Sequence, residues 1–228
     1  MTAVALRLFR GTILAMSDTV KRQYRSARRA SSAAATRSRI RQAAAAQFIE
    51  KGYAATTMRA IAAEAEVGER TLYDAFPTKV ALFSHTLGVA TVGDEQAVAV
   101  MDRPQVSRAQ RADTPRDSLA EFVEFSTDLL ERAGDLIMVS IQAAGADPDM
   151  KAAAEAGAEA THRVYLSVCD ALERRDALAT GVDAAAAADI MFALCSPHTH
   201  YALRRIRGWT AERYRTWLED TLTQQLLR

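Results

Sequence analysis

The chain has 228 residues, 49% of them hydrophobic, enough for one or two packed domains. Its two cysteines, Cys169 and Cys195, exclude a disulfide framework and form no CxxC pair. No apolar run reaches the ~20 residues of a membrane span, so a cytoplasmic location and no membrane partner are expected. The net charge of +1 conceals a gradient: residues 1–50 carry ten Lys and Arg against Asp18 and Glu50, a net of +8, while residues 101–150 sum to −5. A basic end on an acidic or neutral body is a footprint for a polyanion.

In chain order, MTAVALRLFRGTILAM carries Arg7 and Arg10 in its apolar stretch and is a poor signal peptide. Both Met1 and Met16 are possible starts. Residues 17–35 are basic and rich in Ser and Ala, without an apolar face, so 1–35 reads as a disordered extension. Thr36 is the expected N-cap of a helix to about Lys51, with Ile40, Ala44 and Phe48 on one face and Gly52 as its left-handed end. Thr57 caps a second helix, Met58 to Ala65; residues 66–68 turn; a third helix runs from about Glu69 to Ala75. Pro77 stops it, and Thr78 caps a fourth, Lys79 to about Val92.

Residues 93–116, with Gly93, Pro104 and Pro115, read as a loop that can hold a short helix. Helical patterns follow at 117–133, 134–145, 148–175, 183–205 and 210–227, separated by Gly145–Pro148, Thr180–Asp183 and Gly208–Thr210. Abundant Ala, sparse Gly and Pro, and almost no β-branched alternation make the protein all-α. The expected division is 1–35 as extension, 36–92 as a three-helix helix-turn-helix DNA-binding domain, and 93–228 as a helical bundle for ligand binding and dimerisation.

Residues 56–79, TTMRAIAAEAEVGERTLYDAFPTK, carry the recognisable chemistry. Two short helices around a tight turn let one helix enter the DNA major groove. Ala62 permits close helix crossing, Val67 and Leu72 fill the angle, and Ile61, Phe76 and Leu82 extend the core. Facing outward are Glu69, Arg70, Thr71, Asp74 and the Tyr73 hydroxyl, with Thr57 and Arg59 at the start of the second helix. Lys79 in the first turn of a helix opposes the helix dipole, a small penalty that a bound phosphate reverses; the alternative is a solvated surface lysine. The basic residues Lys21, Arg22, Arg25, Arg28, Arg29, Arg37, Arg39 and Arg41 either lie along DNA or merely solubilise a tail.

This segment resembles the TetR/AcrR family of transcriptional regulators, through Thr57, Ile61-Ala62, Val67, Thr71-Leu72-Tyr73, Phe76 and Lys79. RIRQAAAAQFIEKGYAATT (39–57) is similar to the family's first helix and its Gly-Tyr exit, and the likeness spans about residues 37–90. GWTAERYRTWLEDTLTQQLL (208–227) is similar, more weakly, to C-terminal regions of some actinobacterial members. The resemblance implies base readers at Arg59, Glu69, Arg70 and Thr71, and phosphate contacts at Thr57, Tyr73 and Lys79; Gly68, Asp74, Arg37 and Arg39 complete the expected DNA-binding set. Two positions depart from the family pattern. Glu66 replaces the usual turn glycine, and Gly68 replaces the serine that usually caps the third helix.

The implied function is a dimeric repressor on a palindromic double-stranded operator, released by a small-molecule effector. The alternatives are a constitutive regulator whose bundle only dimerises and, remotely, an α-helical enzyme. G-x-S-x-G, HExxH, P-loop and dinucleotide motifs are all missing, so no enzyme and no cofactor are expected. Phe125, Met138, Gln142, His162, Tyr165, Cys169, Met191 and Cys195 are large or polar groups on apolar faces, open to a ligand pocket, although ordinary core packing is the preferred reading for each. Two structural thiols are preferred over a redox pair. His198 and His200 point apart on a helix, so no metal is expected. The stretch 113–135 reads as a helix with a solvated acidic face. Ile190, Leu194, Leu203, Tyr214, Trp217, Leu218, Leu222 and Leu226 on the last two helices suit a homodimer interface.

Overall fold

The computed structural model describes residues 31–94 and 98–228. The basic cluster Lys21–Arg29 and both possible starts lie outside them. The described residues are helical and contain no named strand; the nearest to a sheet is an isolated bridge between Leu178 and Leu227. No helix among them is long and apolar enough to cross a membrane.

Residues 31–55 form α1. The expected start at Thr36 is therefore corrected: this residue lies inside the helix, and its hydroxyl donates to the Ser32 carbonyl at 3.0 Å. Residues 31–35 are not irregular, because Ala33–Ala35 are strong helix formers that extend the helix toward the N-terminus. Gly52 has the expected left-handed φ of +77°, and a further helical turn runs to residue 55.

Then follow α2 (Met58–Glu64), α3 (Glu69–Ala75) and α4 (Lys79–Val92). Thr57 and Thr78 cap α2 and α4, accepting from Ala60 N at 3.1 Å and Ala81 N at 3.0 Å. Glu66 holds the turn with a left-handed φ of +53°, a conformation that costs a non-glycine residue about 1–2 kcal/mol. The helices close on Ile40, Phe48, Ile61, Leu72, Leu82 and Phe83, all fully buried, with Ala62 at the crossing. Phe48 meets Phe83 edge-on at 5.0 Å between centroids.

The body contains a 3₁₀ turn (Val100–Asp102), α5 (Pro104–Arg111), α6 (Pro115–Ala143), α7 (Pro148–Glu173), α8 (Ala184–Leu194), α9 (Pro197–Tyr201) with a π turn (Ala202–Ile206), and α10 (Ala211–Leu226). Thr114, Asp147, Asp183, Ser196 and Thr210 supply side-chain caps. Two expected elements change. The expected helices 117–133 and 134–145 are one helix, α6. Gly134 is no break; it is buried, and a Cβ there would meet His200 Nδ1 at 3.2 Å. The expected helix 183–205 is broken at Cys195–Ser196, because Pro197 cannot donate to the turn before it.

The body's core gathers Phe122, Val168, Leu172, Met191, Tyr214, Leu218 and their neighbours. Leu136 and Val139 of α6 and Met150 of α7 are instead buried in the core of the N-terminal head. The head is thus seated on the body through a shared apolar core, and α4 runs from one to the other.

Candidate nucleic-acid interface

The α2–α3 unit presents Thr57, Arg59, Gly68, Glu69, Arg70, Thr71, Tyr73 and Asp74 to solvent, every one exposed. Leu72, between Thr71 and Tyr73, is fully buried, so the helix is pinned on one face while the other is left uncovered. Arg59 Nε lies 3.7 Å from Glu69 Oε1, and Arg70 Nε 4.0 Å from Asp74 Oδ2. Ion pairs this exposed contribute little to stability, and the guanidinium groups stay accessible. Glu69, whose charge would repel a phosphate, sits beside a cation instead.

Behind this surface, two expected DNA contacts are engaged with the protein. Arg37 donates from Nη1 to the Ala75 carbonyl at 3.2 Å, with its guanidinium 4.5 Å from the centre of the Phe76 ring. It therefore closes the C-terminal end of α3, where a cation is favoured by the helix dipole. Arg39 is exposed on α1. Lys79 is half-buried and donates from Nζ to Tyr53 O at 2.9 Å and Thr56 O at 3.1 Å, above the Tyr53 ring at 4.2 Å. It is not a simply solvated lysine. Its unfavourable place at the start of α4 is offset by the carbonyls that end α1, and burial lowers its pKa against an opposing pull from Asp147. An ammonium has three donors, so one remains beyond these two.

The expected pocket residues do not converge on one cavity. Tyr165, Cys169, Met191 and Cys195 pack together in the body core: Cys169 Sγ lies 3.3 Å from Met191 Sδ, and the Tyr165 hydroxyl donates to Cys195 O at 3.4 Å. Burial pushes both thiols up to about 12, so they are protonated and inert as nucleophiles. His162 bonds to Asp189 at 3.0 Å, Met138 is half-buried, and Gln142 is exposed. Phe125 alone of the eight lines a cleft of about 130 Å³, bounded by the end of α4, the 3₁₀ turn, α5 and α6.

The dimer stripe is corrected as well. Tyr214, Leu218, Leu222 and Leu226 are fully buried within the chain, and Ile190, Leu194, Leu203 and Trp217 are partly so. The apolar period of α10 serves its own core. The acidic face of α6 is not merely solvated either. Glu131 accepts from Arg204 Nη2 and His200 Nε2, both at 2.9 Å; Asp135 accepts from Arg205 at 2.9 Å, and Asp128 from Arg215 at 2.7 Å. His200 is 1% exposed, whereas His198 is exposed. These pairs join residues about 70 to 87 positions apart, and no local spacing announces them.

Comparison with known proteins accords with this geometry. Residues 40–86 match the model of the bacterial regulatory proteins of the tetR family. No curated protein matches the chain. Among solved structures, it is similar to NalD of Pseudomonas aeruginosa, described as the secondary repressor of the MexAB-OprM multidrug efflux pump (22% identity, 85% of this chain and 96% of that one, TM-score 0.64). SmeT in its triclosan complex is similar at 20% identity, over 85% of this chain and 92% of that one, TM-score 0.65. PfmR, a TetR family transcriptional regulator from Thermus thermophilus, is similar at 19% identity, over 83% and 99%, TM-score 0.62. Residues 40–86 thus match the tetR-family model, and over most of its length the chain has the fold of solved TetR-family regulators.

Proposed function

We propose that the protein is a sequence-specific DNA-binding transcriptional regulator, a dimeric repressor released from a palindromic operator by a small molecule. The observation that carries this reading is the uncovered face of α3: its buried Leu72 anchors it to the head, while Glu69, Arg70, Thr71, Tyr73 and Asp74 are exposed to solvent. Arg59 and Arg70 are suited to guanine edges, Thr71 to either base type, and Thr57, Tyr73 and the third donor of Lys79 to phosphates.

Two copies are needed to read two half-sites one helical turn apart. The α10 stripe being internal, pairing falls on outward faces of the last helices, where Phe192 is 38% and Tyr201 41% exposed. Repression and release are supported by what NalD and SmeT are described as doing and binding. The shared core of head and body gives a ligand a path to the head, since any shift of α6 against α4 displaces it.

Selection of bound sequences from random DNA tests the reading. The expected product is a palindrome with half-site centres ~10 base pairs or a multiple apart. Recovery of no enriched sequence overturns it.

A further inference from the structure

The helix pair that faces DNA in the reading above is acidic. Residues 57–75 carry Arg59 and Arg70 against Glu64, Glu66, Glu69 and Asp74, a net of −2, whereas residues 1–50 carry +8. Glu64 accepts from Gln47, and Glu66 occupies the turn. Glu69 and Asp74 remain, both exposed on the uncovered face of α3. A carboxylate there is repelled by phosphates unless a base edge offers it a hydrogen-bond donor.

Each of these two acids has an arginine beside it. Glu69 Oε1 lies 3.7 Å from Arg59 Nε, across the angle between α2 and α3, and Asp74 Oδ2 lies 4.0 Å from Arg70 Nε. Pairs this exposed add little to stability. The second pair also runs against its helix: Arg70 is in the first turn of α3 and Asp74 in the last, the reverse of what the dipole favours. Glu69, in the first turn, suits the dipole, but the dipole does not account for an arginine meeting it from another helix. In both pairs the acid approaches Nε, and the terminal fork of the guanidinium is left for another acceptor.

The major-groove edge of a G·C pair presents, in order, the acceptors N7 and O6 of guanine and the N4 amino donor of cytosine. An arginine fork with a carboxylate beside it is the complement in the same order, two donors and then an acceptor. The spacing agrees: guanine O6 and cytosine N4 hydrogen-bond each other and so lie ~2.9 Å apart, close to the 3.7 Å between Arg59 and Glu69. An A·T edge puts a donor where the fork needs its second acceptor.

We propose that Arg59 and Glu69 act as one unit that reads a single G·C pair in each half-site, the Arg59 fork on guanine and Glu69 on the cytosine amino group. The assignment rests on the regulator reading above. It makes Glu69 a specificity-determining residue and not a general DNA anchor: its charge disfavours every other sequence and is compensated at one base pair.

Binding of the full chain to the operator recovered by selection tests this, each selected G·C pair being altered in turn. At one pair per half-site, N4-methylcytosine, whose methyl takes the place of the groove-facing amino hydrogen, is expected to weaken wild-type binding roughly tenfold or more. At the same pair 7-deazaguanine, which lacks N7, is expected to do likewise. Glu69→Ala, at an exposed position, is expected to keep the melting temperature and to bind random DNA at least as tightly as the wild type. Its preference for the operator over random DNA is expected to fall roughly tenfold. It is also expected to be indifferent to N4-methylcytosine and still sensitive to 7-deazaguanine, with Arg59→Ala indifferent to 7-deazaguanine. No effect of N4-methylcytosine on the wild type at any selected pair overturns the proposal. So does an equal effect on the wild type and Glu69→Ala, or an undiminished operator preference in that variant. In these cases the selected palindrome leaves the regulator reading standing; failure to select any sequence overturns both.

Discussion

In the head, several side chains close on backbone. Lys79 caps the carbonyls of Tyr53 and Thr56, Arg37 the carbonyl of Ala75, and the Thr56 hydroxyl bonds to the carbonyls of Gln47 and Gly52. In the body, side chains close on other side chains across helices: Glu131 with His200 and Arg204, Asp135 with Arg205, Asp128 with Arg215. The first kind of tie satisfies helix ends inside a short unit and leaves its outer face open to solvent. The second fixes how long helices lie against one another, and it is the kind that a ligand or a change of pH can disturb.

The largest test of this contrast is Phe48→Ala, which removes a fully buried ring stacked on Tyr53 and edge-on to Phe83. A cost of about 3–5 kcal/mol is expected. Because Leu136, Val139 and Met150 share that core, urea unfolding should remain one transition by probes in both regions. Two separated transitions would show that the head melts alone.

Next is Glu131→Gln. Arg204 first, and then His200, hold the Glu131 carboxyl at about 2, against the desolvation that opposes them. Its contribution is complete above the unfolded carboxylate range near ~4.3 and lost as pH falls from there toward 2. The variant is expected to lose about 1–3 kcal/mol at neutral pH and less at pH 3. A loss of equal size at both values would break the assignment.

Smaller is Lys79→Ala, expected to cost ~1 kcal/mol of stability through the two uncapped carbonyls. It should also weaken binding to all DNA sequences, lowering the salt slope by roughly one. A selective loss at one operator would contradict a phosphate contact. Smallest is Glu66→Gly at the left-handed turn, expected to raise stability by about 0.5–1 kcal/mol. An unchanged urea midpoint would mean that the turn stores no strain.

The head was legible because its signals are local. Thr57 and Thr78 act as caps, Pro77 as a stop, and Ile61, Ala62, Leu72 and Phe76 as a core, each within a few positions of what it controls. The left-handed Glu66 was foreshadowed only by the resemblance, which puts a turn glycine at that position. The body was legible only as helices. The expected boundary between residues 133 and 134 is absent: Gly134 lies inside α6, where a Cβ would meet His200. The apolar stripe of α10, expected at a dimer seam, fills the protein's own core instead.

The sequence alone determined an all-helical chain, the limits of α2 to α4, and the outward letters Arg59, Glu69, Arg70, Thr71, Tyr73 and Asp74, since capping and helical period act over three or four residues. Only the tertiary structure decided what Lys79 and Arg37 hold, which acids of α6 are paired, and where a cleft remains. Those outcomes depend on partners 23 to 87 positions away, and their meeting is set by how the helices pack rather than by the spacing along any one of them.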